Sequence, residues 1–265
     1  MIPRALAIAA SDSSGAAGLQ ADLKTFAARR VYGMAALTAL TAQDSLQIAA
    51  FQRVPPEFVA QQIRVVLADL GADAIKCGLL LSAEVIAAVA ESVPPEAPNL
   101  VVDPVLVDGK GRLIVAPEAL EAYKRLLFPR ARLITPNLEE ARLLTGLPLT
   151  RPEALPEAAR LLAAFGARAV LIKGGHAESE AIHDVLWEAD QLTVLTSPRL
   201  AAHNPRGAGC TFAACITAEL AHGRDLRTAV QTAQAYVREA LQAAMTWRLG
   251  KGERAVLDHG APHLP

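Results

Sequence analysis

Little in this chain points to nucleic acid, membrane or structural metal. Aromatic residues make up 4% of the 265, the net charge is −1, and Lys and Arg form no basic block. A nucleic-acid surface needs clustered cations, so that class is disfavoured. No apolar run reaches the length of a membrane span. Cysteine is scarce: Cys77, Cys210 and Cys215 are odd in number and unrelated in spacing. They give neither a disulfide framework nor a zinc pattern, and they suit a reducing cytoplasm. His176 and His183 lack the partner spacing of metal ligands. Neither Gly-x-x-x-x-Gly-Lys-Ser/Thr nor Gly-x-Gly-x-x-Gly occurs, so a P-loop is unsupported. The missing fingerprint after the first strand also opposes a nicotinamide oxidoreductase.

What the chain has is apolar material, 52% of residues, arranged as short runs alternating with longer helical patterns. Ala5–Ala10 reads as a buried first strand rather than a secretion signal. Strands follow at 72–77, 99–102, 131–134 and 167–172, with helical patterns between them. Strands separated by helices imply crossovers, a largely parallel sheet and helices on both faces. The ribbon Met34–Val54 breaks this alternation and reads as a small flap. Helical patterns at 210–221 and 226–248 close the chain. Trp187 and Trp247 lie in apolar contexts and read as packing residues. With no linker, repeat or low-complexity tract, one domain over 1–265 is the economical reading. Ligands of open α/β sheets bind beyond the strands' carboxyl ends, which directs attention to Asp12, Gly78, Asp103, Asn137, Lys173 and the glycines near 207.

Four segments at those positions carry possible chemistry. In Arg206-Gly207-Ala208-Gly209-Cys210-Thr211, close glycines before a helix let backbone N–H groups converge on an anion. Cys210 falls in the first turn, where a thiol pKa tends to drop; a plain glycine turn with a buried cysteine fits as well. In Ser11-Asp12-Ser13-Ser14-Gly15-Ala16-Ala17-Gly18, small residues permit close ligand approach, and Asp22 just beyond is a carboxylate for a ring amine. A flexible loop and a dipole-favoured carboxylate is the plainer reading. Asn137-Leu138-Glu139-Glu140 reads first as a capping box, and second as part of an Mg²⁺ site in which Glu140 and Asp103 act through water. Lys173-Gly174-Gly175-His176 offers either a phosphate-neutralising lysine or a solvated one.

Together these segments resemble the hydroxymethylpyrimidine and phosphomethylpyrimidine kinases of thiamin biosynthesis, within the ribokinase superfamily. The resemblance runs along nearly the whole chain. It covers residues 9–15, Gly18 to Phe26, Leu40-Thr41-Ala42-Gln43, Lys76-Cys77-Gly78-Leu79-Leu80 and Val102-Asp103-Pro104-Val105. It continues through 134–141, 173–176 and Gly207-Ala208-Gly209-Cys210-Thr211. It implies a three-layer α/β sandwich with a mostly parallel central sheet and a small β flap. It also implies transfer of the γ-phosphate of ATP, with Mg²⁺, to an aminopyrimidine alcohol and then to its monophosphate, and a homodimer.

By position, the resemblance gives Asp22, Gln43 and Ala10 to the pyrimidine, with Leu79 and Leu80 as hydrophobes beside the ring. Gly207, Ala208 and Gly209 match the anion hole, and Cys210 the catalytic base. Lys173, Asn137 and Thr211 go to the nucleotide, Glu140 and Asp103 to Mg²⁺. Departures are Ala10 for a common glycine, Pro205-Arg206 for Thr-His, and Ala208 for threonine. Arg206 either adds charge near phosphate or faces solvent. The close rival is a pyridoxal or pyridoxine kinase on the same scaffold, against which Gln43 argues, since such kinases often carry methionine there. A catalytically silent pyrimidine-binding sensor is the rival of another class.

Overall fold

The computed structural model describes residues 2–95, 97, 99–109, 111–149, 152–175, 181–200 and 205–261. Among the described residues, nine strands join one sheet in the order β3-β2-β1-β4-β5-β6-β7-β8-β9. The strands are β1 (Arg4–Asp12), β2 (Tyr32–Gln43), β3 (Ile48–Arg53), β4 (Ala74–Cys77), β5 (Leu100–Val102), β6 (Leu133–Ile134), β7 (Ala169–Ile172), β8 (Ala181–Glu188) and β9 (Gln191–Pro198). From β2 through β7 every pairing is parallel. The antiparallel partners β3 and β8–β9 extend the two edges.

The helices are α1 (Gly18–Ala28), α2 (Pro56–Asp69), α3 (Ala83–Ser92), α4 (Pro117–Ala122), α5 (Leu138–Thr145), α6 (Leu155–Ala163), α7 (Ala208–Ala221) and α8 (Leu226–Ala243). Alternation along the strands splits the core in two. Leu6, Ile8, Leu100, Val102, Val170 and Ile172 pack toward α2, α3 and α6. Ala5, Ala7, Val101, Leu133 and Leu171 face α1, α7 and α8 on the other side. Period-two alternation on strands buried on both faces thus builds a three-layer sandwich. No helix among the described residues is long and apolar enough to cross a membrane.

Four sequence expectations change. The ribbon is not separate from the sheet, because β2 pairs in parallel with β1 from Tyr32 to Thr41. Only β3, five of its six residues exposed, projects as a flap. The helix expected at 117–127 turns into a π-helical segment at Tyr123–Leu127, and the last helix ends at Ala243 rather than 248. Trp247, read as packing, is 42% exposed, whereas Trp187 lies against the core beneath the Arg160 guanidinium.

The chain steps from β1 to β2 on one side and then returns to place β4 on the other. That reversal opens a crevice at the carboxyl ends of β1 and β4, where ligands of such sheets collect.

Candidate active site

The glycine turn before α7 forms one wall of this crevice. Gly207 caps the helix with φ of +76°, in the left-handed region open to glycine. A side chain there would also overlap the carbonyl oxygen of Ala16. The first intrahelical bond is Thr211 N–H to Gly207 O. The N–H groups of Ala208, Gly209 and Cys210 therefore have no partner within the helix and form an anion-binding end.

Lys173 lies across from them. A Cβ on Gly209 would stand 3.4 Å from its Nζ. The ammonium donates to Asp103 Oδ1 at 2.6 Å, and Thr135 Oγ1 donates to the same oxygen at 3.0 Å. Burial alone would lower the Lys173 pKa, but Asp103 and Glu140 outweigh it and hold the ammonium charged. Asn137, just after β6, bridges in parallel to Lys173.

Asn137 and Glu140 make the reciprocal capping box that their spacing predicts: Glu140 N–H donates to Asn137 Oδ1 at 2.9 Å, and Asn137 N–H to Glu140 Oε2 at 2.8 Å. Both also line the crevice. Burial pushes the Glu140 carboxyl up to about 7. The capping role and a place on the cleft wall coexist.

Two connected cavities of about 390 and 420 Å³ share Asn137, Lys173, Pro205, Ala208 and Gly209. Both lie in the size range of small-molecule sites. The first contains Ala10, Gln43, Leu79, Gly78, Lys76, Cys210, Asp103 and Glu140. The second runs under α8 past Phe212, Val237 and Leu241. Its floor holds Asp184, which accepts from Gly174 N–H and Gln234 Nε2, both at 2.8 Å. In the first cavity Thr41 Oγ1 donates to the Ser11 carbonyl at 2.9 Å and stands 3.2 Å from Gln43 Oε1. The Gln43 side-chain N–H groups have no protein partner among the described residues and are open to a ligand.

Several expected site residues sit elsewhere. Asp22 is fully buried, and both its oxygens accept from Lys76 Nζ, at 2.7 and 2.8 Å. It lies beneath the cleft and does not line it, so a direct contact with a ring is corrected. Leu80 turns into the core while Leu79 faces the cavity, so only one of that pair is beside a ligand. Thr211 is sealed, its hydroxyl bonded to His259 Nε2 at 3.0 Å, which removes it from the nucleotide-contacting set. Arg206 neither faces solvent nor stands free for phosphate. It is buried, donating to Asp12 Oδ2, Ser14 Oγ and the Asp44 carbonyl, and so ties the β1–α1 loop and the flap turn to the glycine turn.

The thiol departs from expectation too. Burial pushes Cys210 up to about 11, although Lys76 and the Gly18 N–H favour its anion. Cys77 and Cys215 are buried in the core. His183 is exposed and bonded to Thr196 at 3.1 Å, while His176 lies outside the described residues. Lys76, Asp12 and Asp184 also line these cavities, and sequence reasoning missed them or left them unassigned.

Comparison with known proteins identifies the family. The profile of the phosphomethylpyrimidine kinase family matches residues 12–256. A hydroxymethylpyrimidine/phosphomethylpyrimidine kinase of Rhizobium meliloti is 41% identical over 253 residues, covering 95% of each chain. A thiamine biosynthesis bifunctional protein of Geobacter sulfurreducens is 42% identical over 95% of this chain; the chain spans about half (51%) of that protein's length. Among solved structures, the ADP complex of Bacillus subtilis pyridoxal kinase superposes with a TM-score of 0.90, at 36% identity and 98% coverage of both chains. Phosphomethylpyrimidine kinase of Clostridium difficile 630 gives 0.80, at 35% identity, over 90% of this chain and 99% of that one. With a ribokinase-like fold, a family profile spanning most of its length and relatives near 40% identity along it, the chain belongs to the phosphomethylpyrimidine kinase family of phosphotransferases.

Proposed function

We propose that this enzyme moves the γ-phosphate of ATP to the hydroxymethyl oxygen of 4-amino-5-hydroxymethyl-2-methylpyrimidine, and then phosphorylates the monophosphate, in thiamin biosynthesis. The observation that carries this is the convergence of the free N–H groups at 208–210, Lys173, Cys210 and Gln43 on one crevice. The cavity under α8 takes the nucleotide, its apolar residues Phe212, Val237 and Leu241 against the base and its phosphates toward Lys173. The named complexes of related pyridoxal kinases with ADP and AMP-PCP support an adenine nucleotide as the donor.

The acceptor occupies the other cavity. Gln43 Nε2 donates to a ring nitrogen, Leu79 covers a ring face, and Ala10 forms the floor. The alcohol oxygen bonds to the γ-phosphorus as the bond from that phosphorus to the bridging oxygen breaks. The bonding pair leaves with ADP, and the alcohol proton passes to the Cys210 sulfur. The transition state is loose, so the protein's work is positioning and charge neutralisation. Lys173 and the anion-hole N–H groups do that work.

Asp103 and Glu140 fit Mg²⁺: they are oxygen ligands on the cleft wall, and this ion binds through one or two carboxylates plus phosphate and water. When bound, it offsets charge on the transferring group.

A pyridoxal kinase activity is the second reading, favoured by the likeness to pyridoxal kinase structures. We take the whole chain as one kinase unit of the cytoplasm, which keeps Cys210 reduced. The exposed apolar residues Leu40 on β2 and Phe51 on the flap support a homodimer. The test is ³¹P NMR of the enzyme with ATP, Mg²⁺ and the pyrimidine alcohol. A new phosphomonoester signal that needs all three supports the reading, and ADP without it defeats the reading.

A further inference from the structure

Lys76 is a buried cation that the reaction above does not use. It stands on β4, one residue from the strand end. Its residue surface is 0% exposed, yet it forms part of the cleft floor. Its ammonium lies under Gly78, where an added Cβ would be 3.3 Å from Nζ. Two of its three N–H groups go to Asp22, whose side chain is equally sealed. Burial raises the Asp22 carboxyl to about 6, while Asp22 and the other nearby anions outweigh burial to raise the Lys76 pKa. The pair is therefore ionised at neutral pH. A sealed ion pair rarely stabilises a fold better than well-packed apolar residues would, so its place beneath a reactive cleft calls for another explanation.

Cys210 supplies it. The sulfur and Lys76 line the same floor, and the Gly18 N–H favours the thiol's anion. Four charged groups act on it: Lys76 from β4, Asp22 from α1, Asp103 after β5 and Lys173 after β7. Of these Lys76 has the largest effect in favour of the anion, and Asp22 opposes it more than Asp103 does.

We propose that the Lys76–Asp22 pair is a positioning device for the reactive thiol: Lys76 supplies the positive charge that sustains the Cys210 anion, and Asp22 sets how much of that charge the sulfur feels. This rests on the reading of Cys210 as proton acceptor, but its test reads the sulfur directly, without nucleotide or acceptor.

The experiment is the pH dependence of iodoacetamide alkylation at Cys210, followed by peptide mass so that Cys77 and Cys215 are scored apart. It compares wild type, Asp22→Asn, and the charge-balanced double variant Asp22→Asn/Lys76→Met. At any pH below the thiol pKa, making the thiol tenfold more acidic gives about tenfold more thiolate. At pH 8, Asp22→Asn alkylates at least about threefold faster than wild type, and the double variant at least about threefold slower. A purely structural pair would move both variants the same way. Rates that change in one direction, or do not change, overturn the proposal. If Asp22→Asn fails to fold, the double variant against wild type carries the test alone. Wild type without turnover on any alcohol would remove the kinase reading and leave this titration standing.

Discussion

Lys173 Nζ and Asp103 Oδ1 meet at 2.6 Å although they follow β7 and β5, strands separated by β6. The pair spans the cleft floor, and Asp103 holds the ammonium close to Gly209. An arriving polyphosphate competes for the same charge. Lys173→Gln keeps much of the side-chain length and removes the charge. It is expected to raise KM for ATP and lower kcat by about 10²- to 10³-fold, the scale of losing one preorganised group on the developing charge. Steady-state kinetics at varied ATP measure it. Unchanged kcat would take Lys173 out of the transfer step.

Cys210→Ala removes the proton acceptor without adding bulk. Turnover is expected to fall by about 10²- to 10⁴-fold, with nucleotide and alcohol affinities by calorimetry within about twofold of wild type. Because burial raises the thiol to about 11, the reactive anion is scarce at neutral pH. In wild type kcat should therefore climb with pH between 7 and 9, approaching about tenfold per pH unit. A flat profile over that range would show that a thiolate is not required.

Gly207 and Gly209 should respond differently to alanine. At 207 the side chain meets the Ala16 carbonyl, at a left-handed backbone. The variant should lose about 2–4 kcal/mol of stability in urea unfolding, the range for strain at a special backbone position. At 209 the new methyl makes ordinary contact with Lys173, so the fold should survive while turnover falls. Equal stability losses would contradict this division.

His259 is buried near the C-terminal end, its ring against Thr211 and its carbonyl accepting the Tyr236 hydroxyl at 2.7 Å. Burial, reinforced by Lys24, lowers its pKa to about 4, below the usual 6.5. Between those values the unfolded chain binds a proton that the folded protein does not. Stability from this group is therefore present above about 6.5 and drains away as pH falls toward 4, by about 1–3 kcal/mol. His259→Gln should lose less stability than wild type between pH 7.5 and 4.5 in urea titrations. Parallel losses would show that the ring takes up its proton alike in the folded and unfolded chain.

Much of this arrangement is legible in the sequence, because an α/β sheet sets its site at strand ends. Asp12, Gly78, Asp103, Asn137 and Lys173 each follow an apolar run, and each lines the crevice. The capping box at Asn137 and Glu140 is likewise a local pattern with a local outcome. What is not legible depends on distant partners. Nothing near Asp22 announces Lys76, 54 residues away, which claims both its oxygens. Arg206 is a strut because Asp12, Ser14 and Asp44 surround it, all remote in the chain. The first-turn position of Cys210 predicts a lowered pKa, but desolvation wins once the glycine turn packs against α1. Thr211 begins the next turn and points away from the mouth, toward His259.

The decisive measurement offers ATP with the aminopyrimidine alcohol, its monophosphate and pyridoxine in separate reactions, and compares kcat/KM from ADP release alongside phosphorylated product. The amide at Gln43 should give the pyrimidine alcohol at least about a tenfold advantage over pyridoxine, on the scale of one unmatched buried hydrogen-bonding group. Phosphorylation of pyridoxine in preference to the pyrimidine, or of neither, would contradict the assignment.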